Sequence, residues 1–225
     1  ADVTEMNSFE EFFQAYKTQN EYMIKLLVNA DNAIDVAHAQ RCPLPFLSSM
    51  IEDCIGRGKT VQEGGAVYNF TGPQGFGIAN MTDSLWAIKK LVFEQKKYTL
   101  EDFKNALQDN FGKDMDKFKA EKLTVKVAQE LYSKGKTVNN AEIGEIYRAV
   151  STNNCSDEKK AFYDRLLNDI YSLEKYGNDI KQVDKFAREI AYTYTKPLET
   201  YKNPRGGQFQ AGLYPVSANV PLGAQ

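Results

Sequence analysis

At 225 residues and 42% hydrophobic, the chain can bury a core of its own, as one large domain or two small ones. A net charge of −2 gives no electrostatic case for nucleic acid, and no apolar run approaches the roughly 20 residues that span a membrane. Three irregularly spaced cysteines argue against a disulfide framework, and Asp2 and Glu5 stand where a signal peptide would be positive, so a cytoplasmic protein is the simplest reading.

In chain order, Ser8-Phe9-Glu10-Glu11 reads as a capping box. Phe9, Phe13, Tyr16, Ile24, Leu27 and Val28 recur at near-helical spacing, which predicts a long helix from Phe9 to about Gln40, ended by Pro43 and Pro45. Phe46 to Ile55 reads as a short helix stopped by Gly56 and Gly58. Residues 59–79 are Gly-rich and read as loop, with a little strand around Ala66 to Phe70. Helix is expected again over Thr82 to Phe93, and after the Thr99 cap to near Gly112.

Residues 119–157 are polar and charged, with helical stretches around Thr124 to Ser133 and Ala141 to Val150, and read as a helical surface insertion. Glu158 to Leu173 is expected to be helical. Asp179 opens another helix that turns Ile180, Val183, Phe186, Ala187 and Ile190 inward and is disturbed at Pro197. Leu213 to Val220 has strand composition.

Several residues invite a functional reading. Arg205 stands in Asn203-Pro204-Arg205-Gly206-Gly207, on rigid punctuation at the mouth of a strand, where its fork could take a carboxylate or sulfonate. A solvated turn arginine is the plain alternative. Phe209 would wall it, and Tyr68 and Tyr214 are further wall candidates. The run Gly72-Pro73-Gln74-Gly75-Phe76-Gly77 lacks both phosphate-loop orders and reads as a buried turn that lets backbone pass close to its neighbours. His38, the only histidine, has no second ligand at metal spacing and reads as a surface or capped residue. Cys42 and Cys54 are expected to pack as small apolar groups. Glu52-Asp53 and Glu142/Glu145 read as solvated helix faces.

Three blocks then occur in order. They are Pro43-Leu44-Pro45-Phe46-Leu47-Ser48-Ser49, the run Glu63 to Asn80 with Tyr68-Asn69-Phe70-Thr71-Gly72-Pro73, and Asn203-Pro204-Arg205-Gly206-Gly207-Gln208-Phe209 leading to Leu213-Tyr214-Pro215-Val216. Together they resemble the glycyl radical enzymes, and within them the dehydratase and lyase branch. The resemblance implies an α/β fold, a ten-stranded barrel wrapped in helices, to which a mostly helical segment like this one contributes one or two strands.

It also implies a backbone glycyl radical, installed by an S-adenosylmethionine-dependent iron–sulfur activase, and passed to a cysteine that starts cleavage of a C–O, C–N or C–S bond. The family's R-V-x-G and G-C-x-E motifs do not occur in these 225 residues. The chain therefore reads as an interior slice, inactive alone, with no catalytic residue, bound metal or nucleotide of its own. Arg205 and Phe209 match the spacing of substrate contacts in isethionate-cleaving members, so the resemblance implies that both bind substrate. It favours a small anion of the hydroxyproline or isethionate type, and a homodimer in the cytoplasm. The acyltransferase branch, typified by pyruvate formate-lyase, and a non-catalytic or split interaction module stay open.

Overall fold

The computed structural model describes residues 2–114, 117–151 and 155–214. They form a mostly helical chain that divides into two compact units. Of the described residues, the first unit combines those before 87 with those after 173, and the second holds those between.

In the first unit, α1 (Phe9–Arg41) is the longest element. Ser8 caps it by accepting from the Glu11 amide, and Glu11 answers at the Asn7 amide, one residue before the cap. Phe9 and Phe13 stack on each other and meet, at a tilt, Phe186 of α9 (Lys181–Leu198), which also meets Trp86. Farther along, Ile24 and Val28 close over Leu198 and Phe209. Each of these aromatic and aliphatic side chains contributes about 1.5–3 kcal/mol on full burial, so the α1–α9 seam is where this unit holds together.

Pro197 lies inside α9 and has no amide to give the Thr193 carbonyl. Asn20 of α1 supplies the missing donor: its Nδ2 lies 3.0 Å from the Thr193 carbonyl oxygen and 3.0 Å from its hydroxyl.

The expected helix over Phe46 to Ile55 is two short ones, α2 (Pro45–Ser49) and α3 (Cys54–Arg57). The break falls at Asp53, which takes a left-handed φ of 73° and anchors Arg57 through its carboxylate. The strand expected at Ala66 to Phe70 is absent. The Asn69 side-chain Nδ2 donates to the Ala66 carbonyl and curls this stretch. The strand lies later instead. β1 (Gln74–Gly75) pairs in parallel with β2 (Gly212–Leu213). The rest of the expected Leu213 to Val220 strand, from Pro215 onward, lies outside the described residues. Asp179 precedes α9 rather than opening it, at a left-handed φ of 57°.

The second unit begins at residue 87, within α4 (Ile78–Ile88), which passes into π-type turns over Lys89–Glu94. α5 (Leu100–Gln108) follows, capped reciprocally by Thr99 and Asp102. The stretch expected to be a surface insertion holds α6 (Lys117–Ser133) and α7 (Asn140–Ser151), which pack on each other. α8 (Asp157–Ser172) packs through Tyr163 and Leu166 against Leu91, Tyr98, Phe103 and Ala106. Two Tyr–Asp–Lys clasps edge this core. The Tyr98 hydroxyl donates to Asp169, which Lys97 also pairs, and Tyr163 and Lys159 do the same to Asp109.

No described helix is long and apolar enough to cross a membrane.

Candidate functional site

The loop after α9 is built by Asn203. This side chain is buried, and its Nδ2 donates to the Asn69 carbonyl (2.6 Å) and the Thr71 hydroxyl (2.9 Å). Its Oδ1 accepts from the Gly207 amide (2.9 Å), and its own amide donates to the Gly207 carbonyl. The loop therefore closes on itself and on the Tyr68–Thr71 segment at once. Gly207 is compulsory here, since a Cβ would run into the Asn69 carbonyl oxygen. Gly64 faces the same loop from the other side at φ +81°, where a Cβ would lie 2.5 Å from the Arg205 carbonyl oxygen.

Arg205 projects from that loop back to α1. Its Nε donates to Asp35 Oδ2 at 3.0 Å, with both side chains 17% exposed. Nη2 donates to the Phe70 carbonyl (2.8 Å) and the Thr71 hydroxyl (3.1 Å). Phe209 lies at the centre of the seam with Ile24, Val28 and Leu198, 1% exposed. Its backbone bridges Thr71, and the chain then runs into β2.

The structure thus brings the glycine run and the Arg205 loop together. The Thr71 amide donates to the Gln208 carbonyl, the Gln210 amide to the Thr71 carbonyl, and the Tyr214 amide to the Gly75 carbonyl. Close backbone approach does occur in the run. A Cβ at Gly75 would lie 2.7 Å from the Tyr194 ring. The run is nonetheless only partly covered rather than a buried turn, with Gly72 exposed.

Tyr68 and Tyr214 are exposed, stacked on Phe70 and set edge-on to Phe76 respectively. His38 is exposed near the end of α1. Cys54 is buried as expected, but Cys42 is exposed, because it follows the last turn of α1 where only its amide is engaged, on the His38 carbonyl. Among the described residues no three His, Cys, Asp or Glu side chains gather to hold a metal ion.

Asp35 is the residue that sequence reasoning missed. One signal existed: it falls seven residues after Val28, on the helix face that packs inward. Asp31, one turn upstream, has its carboxyl pushed above the usual range by burial and then by Asp35. Burial, and then Asp31, raise the Tyr194 hydroxyl. Two acids thus stand one turn apart on α1, Asp35 on the arginine and Asp31 beside Asp35.

The pyruvate formate lyase-like family model matches residues 1–223. A solved structure concerned with 1,2-propanediol dehydration in Roseburia inulinivorans is 54% identical, with a TM-score of 0.83, over 100% of this chain and 27% of that one. The glycerol-bound form of a glycerol dehydratase from Clostridium butyricum is 42% identical, with a TM-score of 0.69, over 100% of this chain and 22% of that one. A (2S)-3-sulfopropanediol dehydratase of Klebsiella oxytoca is 30% identical over 96% of this chain and 20% of its own length. The chain spans about a fifth of the length of the curated relatives it matches. The chain belongs to the pyruvate formate lyase-like family, the glycyl radical enzymes, on their dehydratase and lyase side.

Proposed function

We propose that these residues form part of a glycyl radical dehydratase that eliminates water from a small hydroxylated substrate. The observation that carries this is the Asn203–Gln208 loop, which pins an arginine and a parallel strand pair in one rigid unit, together with 54% and 42% identity to structures concerned with propanediol and glycerol. The relative with a sulfonated diol in its name is less similar, at 30%. All three of these relatives are concerned with dehydration of a diol or triol, which favours C–O cleavage over C–N or C–S cleavage.

The radical would supply hydrogen abstraction from substrate carbon. Neither the R-V-x-G nor the G-C-x-E motif is present among the 225 residues, so no step of that chemistry is assigned to them. Their part is wall and pocket of a ten-stranded barrel completed by further polypeptide, with Arg205 presented to substrate and Phe209 fixing the loop that carries it. Residues 119–157 sit outside this role, as a helical surface insertion. The implied partners are the S-adenosylmethionine-dependent activase, the small substrate and a second copy in a homodimer, in the cytoplasm.

The test is anaerobic activation of the full-length polypeptide followed by product analysis with 1,2-propanediol and glycerol. An aldehyde formed with loss of one water supports the reading. Turnover confined to an acyl transfer would overturn it. The 225 residues alone are expected to be inactive.

A further inference from the structure

The charge of Arg205 is met from within the chain. Asp35 holds Nε, and the Phe70 carbonyl and Thr71 hydroxyl hold Nη2. Among the described residues Nη1 has no hydrogen-bond partner. The guanidinium therefore keeps spare N–H donors. With a carboxylate that is equally shielded from water, it forms a pair of little net charge. Asp31 adds a second carboxyl one turn away along the same helix. A sulfonate or carboxylate approaching Arg205 would meet the Asp35 carboxylate behind it. A hydroxyl oxygen would meet donors alone.

We propose that Asp35 is a specificity-determining positioning residue. It orients Arg205 through Nε and offsets its charge, so that the site selects a small neutral polyol over an anion of the same skeleton. This rests on the dehydratase reading in which Arg205 faces the substrate, and it reverses the preference that an arginine alone would suggest.

The test uses the full-length enzyme without its radical, titrated calorimetrically with 1,2-propanediol, glycerol and 3-sulfopropane-1,2-diol. The unaltered enzyme should bind the neutral diols at least about tenfold more tightly than the sulfonate. Asp35→Asn keeps an acceptor for Nε and removes the charge. The sulfonate should then gain about tenfold to a hundredfold, while the diols change by less than about threefold. Asp35→Glu should restore the neutral preference. A purely structural role would move all ligands together and would not be rescued this way.

Thermal melts accompany each variant, and Asp35→Ser is read in the same way should the Asn variant fail to fold. An unchanged sulfonate-to-diol ratio in folded Asn or Ser variants overturns the proposal, as does an unaltered enzyme that prefers the sulfonate. Diol binding in those cases leaves the dehydratase reading standing. An unaltered enzyme that binds none of the three overturns both.

Discussion

Pro197 and Asn20 offer a test of how the α1–α9 seam is held. Proline at 197 removes the amide that would reach the Thr193 carbonyl, and Asn20 Nδ2 replaces it at 3.0 Å. Asn20→Ala strips that donor from a buried residue. The Thr193 hydroxyl loses less, because it still donates to the Ile190 carbonyl. Most of the cost is thus one orphaned carbonyl, about 1–3 kcal/mol, with a thermal midpoint lower by about 2–4 °C for each kcal/mol. Urea unfolding of Asn20→Ala, Pro197→Ala and the double variant measures it. In the Pro197→Ala background residue 197 regains an amide, so Asn20→Ala should cost about 1 kcal/mol less there. Strict additivity, or a single-variant cost below about 0.3 kcal/mol, would refute this account of the seam.

Gly207→Ala should destabilise the protein by about 3 kcal/mol or more and open the Arg205 loop to limited proteolysis, since the new methyl has the Asn69 carbonyl in its place. Gly56→Ala, with open space around it, is the control and should be neutral or mildly stabilising. Burial and then Asp169 push the Tyr98 hydroxyl up to about 12. Its contribution to stability is therefore full below the ordinary tyrosine value of about 10 and is lost as pH rises from there through about 12. Tyr98→Phe should remove one late step from the ultraviolet tyrosinate titration and flatten the alkaline side of the stability curve. Asp109 moves the other way, held down by Lys159 and Tyr163. Asp109→Asn should weaken stability at neutral pH yet change little once pH has fallen through the carboxylate range.

The long helices were legible because their physics is local. Ser8, the Phe9–Phe13 periodicity and Pro43 bound α1, and Val183, Phe186 and Ile190 mark the buried face of α9. What escaped was set by distant partners. Gln74–Gly75 has no strand composition and becomes a strand because Gly212–Leu213 lies beside it. Asp53 looks like any helical acid until its left-handed backbone splits the helix. Arg205 drew notice from its glycines and prolines, but its counter-charge is 170 residues away on α1, and no window of sequence joins the two. Phe209, which the resemblance sets beside substrate, has its ring packed with Ile24, Val28 and Leu198, a burial that spacing alone does not reveal.

The most direct test of the central claim is electron paramagnetic resonance of the full-length protein after anaerobic treatment with a radical-installing activase, read alongside conversion of 1,2-propanediol. The account predicts a glycyl radical doublet whose yield tracks the aldehyde formed. A protein that binds the diol yet gives neither radical nor aldehyde, under conditions that activate a known dehydratase, would contradict it.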